Sequence, residues 1–192
     1  RDVLGCAQTG TGKTASFTLP MIDVLSHGRA RARMPRSLIL EPTRELAAQV
    51  AEQFEVYGKY HKFTMALLIG GVSFDEQNKL LDRGVDVLIA TPGRLLDHVD
   101  RGKVLLNDVK ILVIDEADRM LDMGFINDVR KISDLVGSNR QTLLFSATMP
   151  NAVEKLAAGM LSDPVRIEVA PQSTTAERVQ QRVLFVEKQQ KR

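Results

Sequence analysis

Residues 7–14 are Ala7, Gln8, Thr9, Gly10, Thr11, Gly12, Lys13 and Thr14, and the apolar pair Val3 and Leu4 lies just upstream. Glycines let backbone N–H groups converge on phosphate oxygens, and a helix starting at Lys13 would add its positive end. In such a loop Lys13 would reach the β- and γ-phosphates of a nucleotide, and the Thr14 hydroxyl would ligate Mg²⁺. The strict pattern has glycine at position 7; Ala7 is small enough for the same turn. A glycine-rich turn before a helix also occurs without any ligand, so the loop needs a second element.

That element is 111–118. The apolar run Ile111, Leu112, Val113 and Ile114 ends in Asp115, Glu116, Ala117 and Asp118. Carboxylates at the end of a buried strand suit a nucleotide-hydrolysing centre. Asp115 would hold Mg²⁺ through water, and Glu116 would orient and deprotonate the attacking water. Acidic residues after strands also serve as plain helix caps. The phosphate loop in the same chain favours the catalytic reading, with Lys13, Asp115 and Glu116 as its centre.

These groups must be placed by a scaffold. Apolar runs rich in Val, Ile and Leu predict strands at 2–5, 37–41, 63–69, 85–90, 111–115, 142–145 and 165–169, covered on both faces. Amphipathic stretches between them predict helices at 43–60 and after Lys13, Phe74, Pro92, Phe125 and Pro150. Alternation of this kind means an α/β fold with a predominantly parallel sheet and helices on both faces. The hydrophobic stretch 120–125 is expected to be core or helix-packing surface.

The 192 residues suit one α/β domain, and 44% hydrophobic with 26% charged residues is a globular composition. A net charge of +2 is too small for a global basic field, so any nucleic-acid contact must be local. The lone Cys6 excludes an internal disulfide and a multi-cysteine zinc site, and it is expected to be a small buried residue. His27, His61 and His98 lack metal-ligand spacing. No sequon, signal-type opening or apolar run of about 20 residues is present, which predicts a cytoplasmic protein without a membrane span. Arg29, Arg31, Arg33 and Arg36 are expected to lie in a solvated loop, with an RNA-facing patch as the alternative.

The series now resembles a known family. Ala7–Thr14 and Asp115–Asp118 are similar to motifs I and II of the DEAD-box RNA helicases. Further resemblances follow in the family's order: Pro42, Thr43, Arg44, Glu45, Leu46 and Ala47 (motif Ia), Gly70 and Gly71 (the glycine doublet), Thr91, Pro92, Gly93 and Arg94 (motif Ib), and Ser146, Ala147 and Thr148 (motif III). The resemblance spans 7–148 and implies a RecA-like first domain that binds ATP and Mg²⁺. It implies sequence-independent RNA backbone contacts by Pro42, Thr43, Arg44, Gly70, Gly71, Thr91, Pro92, Gly93 and Arg94. It also implies that Asp118, Ser146 and Thr148 couple hydrolysis to inter-domain closure. The wording of 7–19 is similar to bacterial members of the RhlE type. Glu41 departs from the family, where a small or apolar residue is usual; it either weakens the phosphate site or points away.

The start at Arg1 without Met is taken as a cut, with the family's adenine-recognition segment upstream of it. The domain is expected to occupy 1–169, followed by a small, polar linker at 170–178. A second RecA-like domain, source of the family's arginine fingers, is expected to begin within 179–192, with a strand at 182–186. The chain alone should then bind ATP weakly, hydrolyse it barely and unwind nothing. Two competing readings are a DNA-acting translocase and a nucleotide-gated RNA-binding or scaffold protein without useful hydrolysis.

Overall fold

In the computed structural model, which describes residues 1–8 and 10–169, seven parallel strands form one sheet. In chain order the elements are β1 (Val3–Cys6), α1 (Lys13–Leu25), β2 (Ser37–Leu40), α2 (Arg44–Tyr57), β3 (Met65–Leu68), α3 (Phe74–Arg83) and β4 (Val87–Ala90). They continue as α4 (Pro92–Asp100), β5 (Ile111–Ile114), α5 (Ala117–Asp122), α6 (Ile126–Leu135), β6 (Gln141–Ser146), α7 (Asn151–Met160) and β7 (Val165–Glu168). The expected α/β class with a parallel sheet is the class observed. The linker at 170–178 and the strand at 182–186 lie outside the described residues.

The sheet order is β3-β4-β2-β5-β6-β1-β7. Successive side chains of a strand point to opposite faces, so each continuous apolar run serves two cores. Leu38, Leu40, Leu88, Ala90, Leu112, Ile114 and Leu144 join residues of α4, α6 and α7 on one face. Ile39, Val87, Ile89, Val113 and Phe145 join Phe17, Met21, Ile22, Ala47, Val50 and Phe54 of α1 and α2 on the other. Double coverage holds for β2, β4 and β5, whose residues are all buried. It fails for β7, an edge strand exposed along its whole length, with Ile167 49% accessible.

Local chemistry sets the helix starts. The Thr43 hydroxyl accepts from the Leu46 N–H at 3.3 Å and so caps α2, while Pro92 occupies the first turn of α4. Both helices begin just beyond the carboxyl ends of strands. In an open parallel sheet that edge is where loops gather into a crevice. The shorter α5, absent from the sequence expectation, follows directly on Glu116 and takes in much of the apolar 120–125 stretch.

Candidate functional site

Between β1 and α1 the chain makes a tight turn, with Gly10 at φ 86° and Gly12 at φ 85°. Gly12 is the residue before α1, in the left-handed region that a side chain disfavours. The turn brings Lys13, only 8% exposed, under the carboxyl end of β5. Its ammonium lies 2.9 Å from Asp115 Oδ1 and also pairs with Glu116 Oε1. Thus the loop and the acidic strand end, 103 residues apart in sequence, converge as expected.

A cleft of about 420 Å³ opens here, lined by Gly10, Gly12, Lys13, Thr14, Asp115 and Glu116. That volume lies within the usual small-ligand range. Glu116 itself sits at φ 53°, ψ 48°, a left-handed conformation costly for a residue with a side chain. The strained position aims a carboxylate at Lys13 instead of extending the strand.

Electrostatics follow from burial. Desolvation pulls the Lys13 ammonium down, but Asp115 and the hydrogen bond to Glu116 outweigh it and hold its pKa above the ordinary lysine value. Burial likewise raises Asp115, against the opposing charge of Lys13. A third carboxylate, Glu41, is 1% exposed in the same cleft. Burial, then the charge of Asp115, push it well above the usual carboxylate range. The sequence left Glu41 undecided between weakening the site and pointing away; it points in.

Asp118 lies two residues beyond Glu116, in the first turn of α5. Its Oδ2 accepts from the Thr148 N–H at 2.9 Å and the Thr148 hydroxyl at 2.8 Å. The Asp118 N–H donates to Ser146 Oγ at 3.1 Å, and that hydroxyl donates to the Thr148 carbonyl at 2.7 Å. Burial would raise the Asp118 carboxyl, yet these Thr148 bonds prevail and hold it below its ordinary value. The end of β6 is therefore tied to the segment that carries Glu116.

The remaining residues singled out in the sequence sit at the carboxyl ends of β2, β3 and β4, which are neighbours in the sheet. Thr43, Gly70, Gly71, Thr91 and Gly93 reach the surface there, while Pro42 and Pro92 are buried and only shape the turns. Arg44 is exposed, its Nη1 3.5 Å from the Gly70 carbonyl. Arg94 is largely committed within the protein. Its Nε donates to Gln77 Oε1 at 2.9 Å, its Nη2 to the Val72 carbonyl, and its guanidinium stacks 3.4 Å above the Phe74 ring.

A family model described as "DEAD/DEAH box helicase" matches residues 1–156. This chain belongs to the DEAD/DEAH box helicase family. It is 39% identical over 197 residues to the ATP-dependent RNA helicase RhlB of Shewanella oneidensis, covering 100% of this chain and 45% of that protein. It is 44% identical over 186 residues to the ATP-dependent RNA helicase DeaD of Mycobacterium tuberculosis, covering 96% of this chain and 32% of that one. The crystal structure of a DEAD box protein from Methanococcus jannaschii superposes with a TM-score of 0.81 at 39% identity, over 88% of this chain and 45% of that structure. The chain thus spans less than half the length of these relatives.

Within this DEAD/DEAH box helicase chain, sequence reasoning missed three kinds of site residue. Gln49 and Gln53 line the cleft one helical turn apart on α2, and Arg119 stands at its rim. Their i, i+4 spacing was visible, but only the docking of α2 beside β2 says what that face borders. Gln77, 1% exposed, was also missed; its amide bonds the carbonyls of Leu67 and Ile69 while its oxygen accepts from Arg94 and His98. The arginine run resolves as structural at Arg33 and Arg36, which pair with Asp82 and Asp86. Arg36 and Asp86 precede β2 and β4, at the sheet end opposite the cleft. Among the described residues no helix is long and apolar enough to cross a membrane.

Proposed function

We propose that this chain is the ATP-binding domain of an ATP-dependent RNA helicase, coupling ATP binding and hydrolysis to RNA strand clamping and local unwinding. The observation that carries this reading is the convergence of Lys13 with Asp115 and Glu116 in one buried cleft. In this reading the domain is 1–169, the linker 170–178 and the start of a second RecA-like domain 179–192.

Ala7, Gln8, Thr9, Gly10, Thr11, Gly12, Lys13 and Thr14 form the ATP cradle, with backbone N–H groups and the α1 terminus facing phosphate oxygens. Lys13 already pairs with anionic oxygens, so exchanging carboxylate for phosphate preserves its charge. Among the described residues no group of three acidic, histidine or cysteine side chains could hold a metal alone. A hydroxyl and a carboxylate beside a phosphate loop do fit Mg²⁺, which takes few protein ligands and keeps water and substrate oxygens. Thr14 and Asp115 would hold it, and when bound it neutralises charge on the transferring phosphoryl group.

Glu116 is the general base, oriented by its strained backbone toward the end of the phosphates and accepting a proton from the attacking water. Asp118, Ser146 and Thr148 transmit the state of that site to β6. Pro42, Thr43, Arg44, Gly70, Gly71, Thr91, Pro92, Gly93 and Arg94 form the RNA face, where open helix starts and glycines meet sugar-phosphate rather than bases. Pro42, Pro92 and Arg94 act there by shaping and bracing the surface. The protein acts in the cytoplasm, and its second RecA-like domain completes both the ATP and the RNA sites.

The decisive test is RNA-stimulated ATP hydrolysis by the full-length protein carrying Glu116→Gln. Turnover is expected to be lost with RNA binding retained; unchanged turnover overturns the assignment of the base.

A further inference from the structure

Glu41 is a buried carboxylate in the cleft that the proposed chemistry leaves unused. It follows β2 directly, as Asp115 follows β5, and these strands are paired with Leu40 opposite Ile114. The Asp115 N–H donates to the Leu40 carbonyl at 3.1 Å, and the Glu41 N–H donates to the Ala90 carbonyl at 3.0 Å, so both backbones are fixed. Glu41 continues the alternation of Ile39 as Asp115 continues that of Val113, and both precursors face the α1 and α2 side. The two carboxylates therefore stand on one face of neighbouring strands, roughly 5 Å apart at the backbone.

What separates Glu41 from a packing residue is its side-chain oxygen. Oε1 is buried and, among the described residues, has no hydrogen-bond partner, while the side chain lines the same cleft as Lys13 and Thr14. Lys13 does not satisfy it, since its bonds go to Asp115 and Glu116. A buried acceptor left open is unfavourable unless something arrives to fill it. Three buried carboxylates, Glu41, Asp115 and Glu116, share the cleft, and the inward ammonium is committed to phosphate once nucleotide binds. The group that balances them is a divalent cation carrying its own water.

We propose that Glu41 is a positioning residue for the divalent cation that enters with the nucleotide, accepting a hydrogen bond from one of the cation's water ligands. Because no three His, Cys, Asp or Glu side chains among the described residues form a metal site by themselves, the phosphates would join Thr14 as inner ligands and Glu41 acts from the second layer. This rests on the nucleotide-site reading above, and it makes nucleotide binding in this chain more dependent on divalent cation than Asp115 alone would.

The test is titration of Mn²⁺ in the presence of ADP, read from the electron paramagnetic resonance signal of the free ion, with the chain and its Glu41→Gln and Glu41→Ala variants. ADP affinity in EDTA and thermal melting in EDTA are measured alongside. Mn²⁺ affinity is expected to fall about tenfold in E41A and less in E41Q, which keeps an acceptor but loses the charge. ADP affinity in EDTA should be unchanged or tighter, and neither variant should melt below the parent. Equal Mn²⁺ affinity in all three proteins overturns the proposal, as does an equal loss of ADP affinity with and without metal. If the parent chain takes up no Mn²⁺ with ADP, the nucleotide-site reading fails instead, so the two failures are distinguishable.

Discussion

Replacing Lys13 with methionine keeps the volume of the side chain and removes the one ammonium buried between Asp115 and Glu116. Both carboxylates are nearly enclosed, with side-chain exposures of 5% and 10%. Removing one partner of a buried ion pair typically costs about 3–5 kcal/mol, because the charge left behind is uncompensated. Here the lower end applies, about 3 kcal/mol near pH 8, since the cleft that both carboxylates line lets water approach the charge left behind. For a domain of this size that corresponds to a melting-temperature drop of roughly 6–12 °C.

The sign of the pH dependence follows. A carboxyl whose folded pKa is raised stabilises the fold when protonated, and that contribution is lost as pH rises through the folded value. With Lys13 absent, the deficit of Lys13→Met should shrink steadily from pH 8 to pH 5. The assay is urea unfolding followed by far-ultraviolet circular dichroism at several pH values, for both proteins. A deficit below about 1 kcal/mol at pH 8, or one equal at pH 5 and pH 8, would refute the buried ion-pair reasoning.

Other consequences are simpler to check. His98 donates through Nε2 to Gln77 and is fully buried; burial and then the charges of Arg94 and Arg101 lower its pKa to about 4. The unfolded chain takes that proton near pH 6.5, so stability falls from there toward pH 4, by no more than about 3 kcal/mol. His98→Asn should lose that part of the acid sensitivity in the same unfolding assay. Gly12→Ala meets no atom within 4 Å, so its cost comes from φ 85° alone, about 1–2 kcal/mol, with weaker nucleotide binding measured by titration. Asp118→Ala should cost about 1 kcal/mol in urea unfolding by leaving the Thr148 N–H and hydroxyl to water.

Much of the fold was legible because apolar runs without alternation mark strands sandwiched between helices. The seven strands expected within the described residues are all present, shifted by no more than two residues at either end. The exception in character is β7: Val165 and Ile167 look like core residues, but they lie at the sheet edge, and edge position is a property of topology. The paired chemistry of Lys13 with Asp115 and Glu116 was legible because each residue type has a fixed role near phosphate. Glu41 was not, because its orientation depends on the register of β2 against β5, which no local pattern encodes. Arg94 was read as a phosphate contact from its charge; Gln77 and Phe74, 17 and 20 residues upstream, give that charge internal partners.

The cleft around Lys13 is, on the reading proposed above, where a nucleoside triphosphate sits. Titrating the isotope-labelled chain with Mg²⁺ and a non-hydrolysable ATP analogue, followed by amide nuclear magnetic resonance, tests it even if binding is weak. Resonances of Gly10, Gly12, Lys13 and Thr14 should shift first, with Asp115, Glu116 and Thr148 following in the same titration. Shifts confined to other surfaces, such as the amino ends of β2 and β4 around Arg36, would contradict it.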